Sequence, residues 1–126
     1  LPGYTGKDLI SELEALTEMK LDYEIVREAH GHESPSDTPL FREIKKQVEL
    51  ADPGSHVVPN LTVGFTDAQY LKKLGAICYG FTPIRMPEGM SFAKLYHGHD
   101  ERIPVEGFRW GLDVFLATVK SFCEFK

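Results

Sequence analysis

Residues 104–122, "PVEGFRWGLDVFLATVKSF", constrain the fold more than any other stretch. Val105, Phe108, Leu112, Phe115, Val119 and Phe122 step alternately by three and four positions, the repeat of one face of an α-helix. Pro104 suits the first helical position, where its missing N–H satisfies nothing anyway. A helix with so continuous an apolar stripe is expected to bury it, so the rest of the chain must offer a core-facing surface.

The preceding segments alternate between helix and strand patterns. Thr5 and Asp8 form a variant of the capping box, and Leu9, Ile10, Leu13 and Leu16 then share one helical face. "LDYEIVREA", residues 21–29, alternates Leu21, Tyr23 and Ile25 with Asp22 and Glu24 and predicts a strand. The polar run "HGHESPSDT", residues 30–38, marks the main boundary. Thr38 then caps a helix with Pro39 at its first position; Phe41, Ile44, Val48 and Ala51 line one face, and "DPGS" at 52–55 stops it. "VVPNLTVG", 57–64, predicts a short strand broken by Pro59. A short helix follows in "TDAQYLKKLG", with Thr66 or Asp67 near its start and Gly75 as its stop. "AICYGF", 76–81, predicts a buried strand, and residues 82–96 a long loop. These patterns predict an α/β or α+β fragment, without internal repeats.

Charge narrows the function classes. A net charge of -5, with no basic cluster longer than "KK", argues against a nucleic-acid partner. No run approaches the ~20 apolar residues of a membrane span, and no signal-peptide pattern opens the chain. Cys78 and Cys123 lie in apolar stretches and are expected to be buried free thiols, which suits a reducing cytoplasm. The 126 residues suffice for one domain or pieces of two. The opening at Leu1, without a methionine, reads as part of a longer polypeptide.

The densest chemistry lies in "LYHGHDERIPVEG", 95–107. On a strand, His97 and His99 would share a face and could ligate a metal; in a loop that argument weakens. Asp100 and Glu101 near a helix start favour the macrodipole, and Arg102 can pair with either. Residue types alone favour a solvated cap loop. "GFTDA", 64–68, is expected at a strand-to-helix turn, where N–H groups and a hydroxyl can meet an anion such as a substrate carboxylate. Taken alone, a plain N-cap at Thr66 or Asp67 is the favoured reading. His30 and His32 read as solvated loop residues, and His56 has no visible partner. No G-x-S-x-G, P-loop or H-E-x-x-H occurs.

Three pieces in order, "LPGYTGKDLISEL", "VGFTDAQYLKKLGAICYGFTPI" and "YHGHDERIPVEGFRWGLDVF", resemble the C-terminal part of a family of di-zinc metallohydrolases. Aminoacylase, carboxypeptidases, acetylornithine deacetylase and succinyl-diaminopimelate desuccinylase belong to it. The resemblance spans nearly the whole chain. The closing piece is the most specific, with His, then Glu four positions later, then a long amphipathic helix. His97 matches the family's last zinc ligand, and His99 falls at a variable position. Asp100 and Glu101 match the pair that shapes the loop. Thr66 and Asp67 match the Gly-Gly-Thr-Asp turn that approaches the substrate's carboxylate end, with Phe65 where the second glycine is usual. "YGFTPI" replaces the commoner Gly-Pro-Gly ending, as in a carboxypeptidase-S-like branch.

The resemblance implies a mixed sheet flanked by helices, the closing portion of a di-zinc catalytic domain, at 33–126. It implies the tail of an α+β lid or dimerisation domain at 1–32. The activity implied is hydrolysis of an amide next to a free carboxylate, in an N-acyl amino acid or a short peptide, by a parent holding two zinc ions. A homodimer is implied by the lid. The remaining metal ligands and the general base fall outside the matched pieces, so the segment is expected to be inactive alone. The rival expectation is a non-catalytic binding or dimerisation module.

Overall fold

The computed structural model describes residues 2–17, 20–29, 31–62 and 64–124. They form four α-helices, α1 (Gly6–Leu16), α2 (Pro39–Ala51), α3 (Ala68–Leu71) and α4 (Val105–Phe122), with 3-10 turns at Lys72–Leu74 and Phe92–Lys94. The chain divides into two compact units, Leu1–Pro35 with Leu61–Tyr79, and Ser36–Asn60 with Gly80–Lys126.

In the first unit, the capping box starts α1 as its sequence requires. The Asp8 N–H donates to Thr5 Oγ1 at 3.4 Å, and the Thr5 N–H donates to Asp8 Oδ2 at 2.7 Å. The Thr5 hydroxyl also donates to Asp8, which holds that carboxyl below its ordinary range. The Gly6 N–H donates to Glu28 Oε1 at 2.6 Å, tying the helix start to the extended segment after it. Ile25 Cδ1 lies 2.9 Å from where a Gly6 Cβ would be, so the glycine admits this approach. No described residue of this unit is fully buried.

The second unit is built on α2 against α4. Thr38 Oγ1 accepts the Phe41 N–H at 3.1 Å, and Pro39 stands in the first turn, as its sequence predicts. Ile44, Leu95 and Val114 are buried. The face of α4 that goes inward carries Gly107, Gly111, Val114 and Thr118. A Cβ on Gly107 would lie 1.9 Å from the Arg85 carbonyl oxygen, and one on Gly111 would lie 1.8 Å from that of Pro83. Residues 83–85 therefore lie directly on the helix backbone, through a notch that two glycines four apart leave open. The Arg85 N–H donates to the Gly107 carbonyl across it at 3.3 Å. The Arg85 guanidinium meets Asp52 at 2.8 Å and stacks 4.7 Å over the Trp110 ring.

Two expectations are corrected. The first is the mixed sheet of an α/β domain: among the described residues there is no strand. The stretches read as strands, 21–29, 57–62 and 76–81, run without ladder partners; Val63 lies outside the described residues. Apolar alternation makes a segment competent for a sheet, but a strand exists only when a neighbour ~4.8 Å away supplies its hydrogen bonds. Pro59 also removes a donor where a ladder would need one.

The second correction concerns α4, which goes inward on its small-residue face. Val105, Phe108, Leu112, Phe115 and Phe122 of the large stripe stay between 44% and 60% exposed. Pro104 is the N-cap rather than the first helical residue. Among the described residues three large hydrophobics are buried and twenty-four are exposed, so apolar surface far exceeds what the two units enclose.

Candidate functional site

The segment with the densest chemistry folds as a closed loop in the second unit. The Phe92–Lys94 turn leads into Leu95, which is buried and anchors the entry. The Arg102 N–H then donates to the Leu95 carbonyl at 3.1 Å, closing residues 95–102 on themselves. Inside this ring His97 has φ 60° and Asp100 has φ 57°, both left-handed. That conformation disfavours a residue with a Cβ by roughly 1 kcal/mol, less for Asp, whose side chain can bond locally. The Arg102 guanidinium, donating to the Asp100 carbonyl at 3.2 Å, braces the second of these turns.

The loop sets the His97 ring edge-on to Tyr96, centroids 4.9 Å apart and planes at 67°. Tyr96 in turn lies 4.8 Å from Phe92. An aromatic row thus supports one side of the imidazole. His97, His99, Asp100 and Glu101 are all exposed on this one turn. Beside it opens a concavity of about 320 Å³. It is lined by Ile84, Leu95 and Ile103 and by the polar Glu101 and Arg102. Such a shape, mainly apolar with one carboxylate and one guanidinium, suits a small amphipathic guest.

The structure brings His97, Asp100 and Glu101 together, as their contiguity requires. Phe65, Thr66 and Asp67 lie in the first unit, on the turn into α3. Thr66 Oγ1 accepts the Ala68 N–H at 3.3 Å, and the Asp67 carbonyl accepts the Tyr70 N–H at 2.9 Å. Asp67 is the N-cap residue, but its side chain makes no capping bond. Phe65 is 79% exposed, with the Arg27 guanidinium 5.8 Å from its ring centre. The hydroxyl of Thr66 is thus engaged in its own turn.

His32 differs from its reading as a solvated loop residue; His30 lies outside the described residues. The His32 ring is half-buried, with Nε2 3.0 Å from Ser34 Oγ and Nδ1 buried without a partner. Ser34 Oγ also accepts the Cys78 N–H at 3.2 Å. Nothing in "HGHES" announces this, because the partner is 44 residues away. The roles of Tyr96 and Arg102 were equally hidden, since aromatic support and loop closure depend on backbone path.

A catalytic zinc takes three protein ligands and a structural one four. Among the described residues no three His, Cys, Asp or Glu side chains are grouped to hold an ion. The residues present therefore do not fit a whole zinc centre, and no chemical step is assigned through one. Among the described residues, no helix is long and apolar enough to cross a membrane. Compared with models of protein families, with curated proteins and with solved structures, the chain matches none.

Proposed function

We propose that this chain is a segment of a zinc-dependent amidohydrolase or peptidase of the aminoacylase and carboxypeptidase family, and that it contributes one metal ligand, His97. The observation that carries the reading is the closed loop. It holds His97 and Asp100 in the left-handed region, at φ 60° and 57°, which His and Asp adopt more readily than most residues with a Cβ. Backbone strain of this kind concentrates at functional sites, and here it fixes an exposed imidazole against Tyr96. Asp100 and Glu101 shape the same turn. The apolar concavity beside it suits the acyl group or side chain of the substrate, an amide next to a free carboxylate. The two free thiols suit a reducing cytoplasm.

The test has two arms. The 126-residue chain titrated with Zn²⁺ should bind no more tightly than a short His-x-His peptide. In the parent enzyme His97→Ala should abolish most turnover and metal retention, and His99→Ala should leave both. Wild-type turnover in the His97→Ala parent ends the assignment. A second reading, a non-catalytic binding or dimerisation module, is favoured by the open apolar stripe of α4.

A further inference from the structure

We propose that residues 32–35 and 78–79 form a clasp that closes the first unit and opens as one piece while the second unit stays folded. The proposal concerns a device within the first unit and does not rest on the zinc reading.

The first unit is made of two stretches, Leu1–Pro35 and Leu61–Tyr79, and the clasp sits at the end of each. Two side chains tie the ends together. Ser34 Oγ accepts the Cys78 N–H at 3.2 Å, and the Tyr79 hydroxyl donates to the Pro35 carbonyl. Both bonds join residues 44 apart, and each runs from a side chain of one stretch to the backbone of the other. Among the described residues no backbone-to-backbone bond joins 32–35 to 76–79. The two bonds interlock. Ser34 reaches the residue beside Tyr79, and Tyr79 reaches the residue beside Ser34. Losing either one frees the neighbour on which the other depends, so the pair opens together.

The surroundings favour such an opening. No described residue of the first unit is fully buried, so no packed core has to be broken. The stretches also meet where the Arg27 guanidinium lies 5.8 Å from the Phe65 ring, but both residues are exposed and water competes for the contact. His32 belongs to the clasp, with Nε2 3.0 Å from Ser34 Oγ, while its Nδ1 is buried without a partner among the described residues. A buried polar atom left unpaired bears the full cost of its lost hydration. Opening returns Nδ1 to water and offsets part of what the broken bonds cost. In the second unit, by contrast, Ile44, Leu95 and Val114 are buried. Opening the clasp therefore parts residues 61–79, with the Thr66 turn, from residues 1–35 and leaves the α2–α4 packing in place.

Amide hydrogen exchange of the 126-residue chain, resolved by NMR, tests this. The Cys78 amide should exchange at least tenfold more slowly than an unstructured amide, yet faster than amides in the middle of α4. Tyr79→Phe removes a hydroxyl that does not touch the Cys78 N–H. It should nevertheless speed exchange at Cys78 about threefold or more, because the two bonds open together. In a Cys123→Ser background, Ser34→Ala should speed labelling of the Cys78 thiol by a similar factor. The α4 amides should keep their rates in every variant. An unprotected Cys78 amide in the unaltered chain overturns the proposal. So does Cys78 exchange unmoved by Tyr79→Phe, thiol labelling unmoved by Ser34→Ala, or α4 amides accelerated as much as Cys78, since the opening would then be global.

Discussion

Replacing Gly111 by alanine sets two opposed effects of known size against each other. In a helix interior alanine is favoured over glycine by ~1 kcal/mol. On α4, however, the added methyl would lie 1.8 Å from the Pro83 oxygen and 2.7 Å from its carbonyl carbon. Carbon and oxygen tolerate each other at ~3.4 Å, so residues 83–85 must retreat by about half that distance. Retreat breaks the 3.3 Å bond from the Arg85 N–H to the Gly107 carbonyl, worth ~1 kcal/mol. It also pulls the guanidinium from Trp110, roughly 0.5–1 kcal/mol, and loosens an ion pair with Asp52 whose side chains are half exposed and which contributes less still. Forcing a methyl into this filled notch adds an overpacking loss of ~1–3 kcal/mol. The losses outweigh the propensity gain, and a net destabilisation of about 1.5–4 kcal/mol is expected. Urea unfolding followed by circular dichroism measures it, and Gly107→Ala should behave alike. Stabilisation by ~1 kcal/mol in either variant, the propensity effect alone, would refute close contact of residues 83–85 with α4.

Two further outcomes follow from the electrostatics. Hydrogen bonds from Thr5 hold the Asp8 carboxyl below its ordinary value. A carboxylate with a depressed folded pKa stabilises above its unfolded value, ~3.9, and loses that contribution as pH falls through the folded one. Helix α1 should therefore lose this capping contribution as pH falls below the ordinary carboxylate value; in Thr5→Val, the Asp8 midpoint measured by carboxyl NMR titration should rise, and an unchanged midpoint would contradict the capping box. The single tryptophan reports on the second unit: Arg85→Ala should uncover the Trp110 ring and shift its emission to the red, and an unshifted spectrum would deny the stacking.

Local chemistry was readable and non-local geometry was not. Thr5 with Asp8, Thr38 with Pro39, and Gly75 at φ 80° act as caps and stops where the sequence predicts them, because their partners lie within a few residues. Sheet formation failed to appear at 21–29 and 76–81, since pairing belongs to two segments and neither carries its partner's address. Periodicity located α4 to within one residue but chose the wrong inward face. It weighs large side chains, whereas close approach of a second backbone is enabled by the absence of side chains at Gly107 and Gly111. In the candidate site, the cluster from His97 to Glu101 was visible because it is contiguous. Its left-handed turns were not, since nothing in His or Asp demands them, and no local pattern could reveal that Ser34 meets Cys78.

The interleaving of the two units sets how the chain can be divided. Each unit is assembled from two stretches separated by part of the other, so the polypeptide passes between them after residues 35, 60 and 79. No contiguous fragment corresponds to either unit alone. A cut at the middle passage leaves both incomplete, so the halves must reassociate before either is restored. Closing the first unit means joining residues 1–35 to 61–79 across a 25-residue excursion, and the entropy of that closure links the completion of one unit to the path taken through the other.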